Sequence, residues 1–215
     1  MLKPQDVLIL IKLISIENQH QVFKDYYKEA QIEWDKLEDE KLDIFLELSA
    51  FYDSLSIRGL AEAVVISKSE VSESLKRLIK IGLLLITSNS PFKRLDLVEM
   101  QWKTNRKALI NLIIYSFQYF FYTEPSLIDI GIPTVFHNKK LSESLSYSSS
   151  LPYIWPAQSY KSVSGLAVQP LYKSVPYVAL DDNFIYEVFC LIDIFRVGSP
   201  REKKIAEKLL REYLE

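Results

Sequence analysis

Cysteine is nearly absent from this 215-residue chain: Cys190 is the only one, which excludes a disulfide framework and a thiolate metal cluster. It lies in an apolar run and reads as a small buried hydrophobe. Histidine is almost as scarce, with His20 and His137 far apart and outside any motif. HExxH, CxxC, GxSxG, Walker A and dinucleotide-binding patterns are all missing. Carboxylates are plentiful, and ten of the 28 crowd one acidic stretch, where a solvated face is the ordinary reading. No catalytic activity, cofactor or metal is therefore expected. Five glycines are too few for a protein built of loops or of phosphate-cradling turns. The apolar runs Val7 to Ile16 and Leu109 to Phe121 are too short to span a membrane, and the first residues carry Asp6 and no cleavage-site pattern. A reducing, cytoplasmic setting is the expectation.

What the chain does contain is apolar bulk. A hydrophobic share of 48% with 13% aromatics belongs to a folded protein with a sizeable core rather than to a disordered chain. The formal charge of -2 hides a segregation. From Glu17 to Glu47 ten acidic residues face four lysines, which leaves the remainder mildly basic. A basic body with one acidic arm is compatible with DNA binding.

The most informative stretch runs from Leu55 to Ile86. Ser56 is a suitable N-cap for a short helix, Ile57 to Val64, with Leu60, Ala61 and Val64 on one face. Ser67 is a second N-cap, and Ser67-Lys68-Ser69-Glu70 fits a capping box. The helix it opens carries Val71, Leu75 and Leu78 along one stripe, and Gly82 stands where a left-handed C-cap would end it. This is the pattern of a helix-turn-helix with recognition helix 68–81. Lys68, Ser69, Ser72, Glu73, Lys76 and Arg77 occupy its polar face and are of the types that bond base edges and phosphates. A solvated face of a helix pair that binds protein, or nothing, is the plainer alternative. Leu83 to Ile86 and Phe92 to Trp102 read as the strands of a wing. Lys93 and Arg94 lie at its tip (87–94), within reach of a DNA backbone.

Around that unit the chain reads as helix. Pro4 and Asp6 suit the start of a first helix through Ile14, and from Glu17 to Leu55 neither Pro nor Gly interrupts a helical spacing of apolar residues. That acidic segment, about 15–54, is either a dimerisation arm or a helix packed on its own body. Lys103 to Tyr122 reads as a helix with Asn105 in its first turn. Prolines then break the chain into short pieces, among them the extended aromatic segment Leu151 to Pro156, read as packed across the body rather than offered to a partner. Helices return at Asp182 to Phe195 and Arg201 to Leu214. The expected fold is mainly α with a small β wing (α+β). It divides into a winged helix-turn-helix domain at 1–102 and a helical, partly irregular domain at 103–215.

Several segments together resemble one bacterial family. These are LKPQDVLILIKL, SKSEVSESLKRL, GIPT (Gly131 to Thr134), PYIWP, GLAVQPLY and CLIDIFRVGSPREKKIAEKLL, in that order over nearly the whole chain. The family is that of MarR-like winged-helix transcriptional regulators. The resemblance implies a DNA-binding N-terminal half, a helper region behind it and no enzymatic activity. Double-stranded DNA is the partner it implies, with a homodimer as the expected assembly; a protein partner, as in an antitoxin-like or defence-complex subunit, is the alternative. Two departures stand out: the insertion at about Ser15 to Phe51, and Gly198-Ser199 where the family tends to have Gly-Arg. Asp193, Arg196, Arg201 and Glu202 form the most specific part of the pattern and read as a charged staple between the last two helices.

Overall fold

The fold is that of a computed structural model, which describes residues 1–30, 55–87, 102–138, 140–141 and 151–215, with the side chains of 23–30 outside the description. The expected acidic segment beyond residue 30 and the expected wing tip with Lys93 and Arg94 lie outside the described residues.

Helix α1 (Pro4–Ala30) is the hub. Val7, Leu8, Ile9, Leu10, Ile11, Leu13, Ile14 and Ile16 are all buried, so its first half is apolar around nearly its whole circumference. A helix of that kind must be enclosed by other elements. The sequence led us to expect a stop at Ile14 and a fresh start near Glu17; instead the helix runs on without a break. Lys12, Ser15 and Glu17, which look disruptive in an apolar pattern, each find a partner on another segment.

The expected helix pair is present as α2 (Ile57–Ala63) and α3 (Lys68–Lys80). Strand β1 (Leu84–Ile86) follows α3 and pairs antiparallel with β2 (Trp102–Thr104), in the register Leu84 to Thr104 and Ile86 to Trp102. Helix α4 (Arg106–Phe120) starts three residues later than expected, because Asn105 is its N-cap and not part of its first turn. The Asn105 side chain accepts from Ala108 N and donates to Gly82 O, joining the end of α3 to the start of α4.

The region expected to be helical and irregular contains a small sheet. Strands β3 (Ile128–Pro133), β4 (Tyr153–Pro156) and β5 (Val163–Ala167) close into a three-stranded ring, β4 and β5 parallel and both antiparallel to β3. Segment LPYIWP is the source of β4, with Ile154 and Trp155 fully buried. A ring this tight needs close backbone approach. A Cβ on Gly131 would lie 2.0 Å from the Trp155 carbonyl oxygen, and one on Gly165 would lie 2.3 Å from that of Pro152. Helices α5 (Val175–Asp181), α6 (Asn183–Val197) and α7 (Pro200–Leu214) complete the chain.

Buried hydrophobic side chains from Val7 to Leu214 form one connected cluster. The boundary expected between residues 102 and 103 therefore falls inside a shared core, with α1 and α4 both packed on α6. The Asp193–Arg196 pair is a staple, but it joins different parts from those expected. Asp193 accepts from Trp155 Nε1 at 2.6 Å, from Thr134 Oγ1 at 3.0 Å and from Arg196 Nη1 at 2.6 Å. Arg196 Nε donates to the Phe121 carbonyl at the end of α4. Glu202 instead closes a capping box with Ser199, and Arg201 is exposed.

Replacing Gly131 by alanine puts a methyl group against backbone that has no rotamer with which to yield. Gly131→Ala is expected to destabilise the fold by about 3 kcal/mol, read as a lower midpoint in urea unfolding.

Candidate nucleic-acid interface

Local chemistry fixes α3 at both ends. Ser67 Oγ accepts from the Glu70 amide at the N-terminus. At the C-terminus Gly82 adopts φ +74°, its amide bonding Ile79 O and the Leu83 amide bonding Leu78 O, which is a Schellman closure. The turn between α2 and α3 closes the same way, with Val65 N on Glu62 O and Ile66 N on Ala61 O. Its left-handed position is held by Val65 at φ +54°, a β-branched residue where glycine is usual.

The inner face of α3 buries Val71, Ser74, Leu75 and Leu78. Helix α1 packs against it, and a charged network locks the two together. Asp6, fully buried, receives Arg77 Nη2 at 2.7 Å and Nε at 3.0 Å, and also the Lys3 amide at 2.9 Å. Arg77 Nη2 further donates to Glu70 Oε1 at 2.7 Å and to Ser74 Oγ at 2.8 Å. Gln5 adds a fifth side chain by donating to Glu70. Hydrogen bonds from Gln5 and then Arg77 hold the Glu70 carboxyl below its ordinary range. The bond to Asp6 raises the Arg77 guanidinium further above its already high value.

This geometry corrects two readings. Arg77 was expected on the polar, outward face; its side chain is only 20% exposed and is committed to Asp6 and Glu70. Glu70 was expected to complete a capping box by reaching back to Ser67, but its carboxylate turns to Gln5 and Arg77, so only the Ser67 half of the box forms.

The remaining candidates stay on the outside. Lys68, Ser69, Glu73 and Lys76 are exposed and Ser72 is half-buried. Lys80, not singled out from the sequence, is exposed too. It stands one turn beyond Lys76 and four residues along the row Lys68, Ser72, Lys76. Its signal was that i+4 spacing, obscured because Lys80 falls at the helix end. Glu73 is engaged by Lys76 Nζ at 2.7 Å, with both side chains more than half exposed. That contact holds the Glu73 carboxyl below its usual range. A pair this open is worth little and is readily exchanged for another partner. The outer face thus carries three lysines against one glutamate on a helix about 20 Å long, next to two hydroxyls. Such a face can donate to phosphate and base-edge acceptors.

Elsewhere, burial pushes the Cys190 thiol well up, which leaves it unreactive in the core. His137 Nδ1 lies 3.3 Å from the Thr134 carbonyl oxygen. Among the described residues no helix is long and apolar enough to cross a membrane. No family model, no curated protein and no solved structure matches the chain.

Removing the buried Asp6 carboxylate takes away the two-pronged partner of a largely desolvated cation and leaves it Glu70 alone as counter-charge. Asp6→Ala is expected to cost about 3 kcal/mol, seen as a lower melting temperature, whereas Lys76→Ala should leave it unchanged. At the exposed turn, Val65→Gly relieves left-handed strain and should raise stability by up to about 1 kcal/mol in the same measurement.

Proposed function

We propose that the chain is a sequence-specific DNA-binding transcriptional regulator built on a winged helix-turn-helix and acting as a dimer. Helix α3 enters the major groove, where Ser69, Ser72 and Lys76 meet base edges and Lys68 and Lys80 meet phosphates. The paired strands β1 and β2 are the base of the wing. Arg77 acts through Asp6 as a positioning residue and does not contact DNA.

The observation that carries this reading is the two-sidedness of α3. Its inner face is bonded into the core through Arg77, and its outer face leaves Lys68, Lys76 and Lys80 free of any buried commitment. A recognition helix needs that combination: rigid support from behind and mobile donors in front. The family resemblance points the same way. A second reading, a subunit that uses the helix pair as scaffold and binds another protein, draws on the exposed apolar residues between Tyr115 and Ile130.

Titration of the protein into labelled DNA from upstream of its own gene, beside a scrambled duplex and at several salt concentrations, tests the proposal. Tighter binding to the native fragment, weakening steeply with salt, is the expected result. Lys76→Glu with Lys80→Glu should weaken it at least about tenfold and reduce the salt slope by about two, with the melting temperature unchanged. Equal, weak binding to both duplexes would overturn the regulator and leave the helix pair as scaffold.

A further inference from the structure

A cavity of about 280 Å³ opens between the end of α4, the segment that follows it and the junction of α6 with α7. Its walls carry Gln118, Glu124, Arg196 and Lys203, and Tyr119 and Tyr122 line it as well. Arg196 is the built part of the site. It is only 5% exposed, and two of its guanidinium nitrogens are held, Nε by the Phe121 carbonyl and Nη1 by Asp193 Oδ1. The third, Nη2, has no partner among the described residues. Every fully buried side-chain nitrogen and oxygen among them is bonded, so Nη2 is the group of Arg196 left open toward the cavity. Lys203 Nζ donates to the neutral Gln118 Oε1 at 3.0 Å, which leaves most of its ammonium donors open. Glu124 accepts from the Tyr122 hydroxyl and keeps most of a carboxylate's ~four acceptor sites.

We infer that this cavity binds a small zwitterion of the amino-acid type, its carboxylate on Arg196 Nη2 and Lys203 Nζ and its ammonium on Glu124. A guanidinium fixed on two sides offers its remaining N–H groups in one direction, and a carboxylate is the acceptor that such a planar donor matches. Charge balance then selects the rest of the ligand. Asp193 neutralises Arg196 at 2.6 Å, which leaves Lys203 and Glu124 one against the other. Glu202 stands close to Gly198 on the wall of the cavity and is committed to the Ser199 amide. A simple anion would meet these carboxylates as well as the two cations, and the double charge of a phosphate would meet them more strongly. An ammonium on the same ligand turns Glu124 from an obstacle into a partner. The exposed rings of Tyr119 and Tyr122 add faces that favour a cation. Size agrees, since the volume lies just below the ~300–1,000 Å³ of sites for drug-sized molecules. The N-terminus of α7 takes no part, because its capping box already engages the amides there. No residue of α3 lines this cavity, so the inference does not rest on DNA binding.

Calorimetric titration of the full chain with each of the standard amino acids is the test. At least one should bind with one-to-one stoichiometry. Its methyl ester lacks the carboxylate charge and its N-acetyl form lacks the ammonium, and each should bind at least about tenfold more weakly. Glu124→Gln and Lys203→Gln should each weaken binding of the unmodified amino acid by a similar factor. Glu124 is exposed and Lys203 half-buried, so both variants should fold, which circular dichroism checks. Arg196→Lys should abolish binding. Because Arg196 also ties α4 to α6, the Glu124 and Lys203 variants decide if that protein does not fold. Full affinity for the N-acetyl form would identify a simple anion site and overturn the inference. So would binding indifferent to the Glu124 and Lys203 variants, or no binding by any of the amino acids at millimolar concentration.

Discussion

The arrangement depends on a buried helix that carries its own polar anchors. Helix α1 is apolar enough that water is excluded around its first half, and four of its polar positions bind three different segments. Asp6 holds α3 through Arg77. Lys12 Nζ and Ser15 Oγ both donate to Asp182, which in turn caps α6 by accepting from the Ile185 amide. Glu17 accepts from the Thr104 amide and hydroxyl and from Arg106. A charge in such a place is tolerated only when paired. The same feature that makes these groups costly to strand makes their partners' positions definite.

A second polar centre does the same for the C-terminal half. Asp193 gathers Trp155 from the strand ring, Thr134 from the end of β3 and Arg196 from its own helix. Arg196 passes the restraint on to Phe121, the C-cap of α4. The aromatic strand β4 is thereby internal, and what remains outside is the opposite edge of the ring with Ile128 and Ile130. Burial of one apolar set and exposure of another follow from the same closure.

The outer face of α3 is consequently presented by a rigid support. Its lysines project from a helix whose back is bonded to α1. Because α1 and α4 both pack on α6, that support belongs to the same core as the C-terminal half.

The sequence by itself determined what depends on neighbours along the chain. Ser56 and Ser67 as N-caps, Gly82 as a left-handed cap, the apolar stripe of α3 and the apolar character of α1 are all legible because capping and periodicity act over a few residues. So were Lys68, Ser69, Glu73 and Lys76 as outward positions of an amphipathic helix. Tertiary structure decided whatever needed a distant partner. Arg77 has the spacing of a surface residue at the margin of the stripe, and only Asp6, 71 residues away, turns it inward. Glu70 forsakes the capping geometry for the same reason, since a buried guanidinium is a stronger claimant than an exposed amide. The three-stranded ring was equally hidden, because its strands are short and β3 pairs with partners 21 to 38 residues away, so that no local period announces them. Charge pairing and ladder formation are long-range in sequence, and it is there that the folded chain overrides what its segments would do alone.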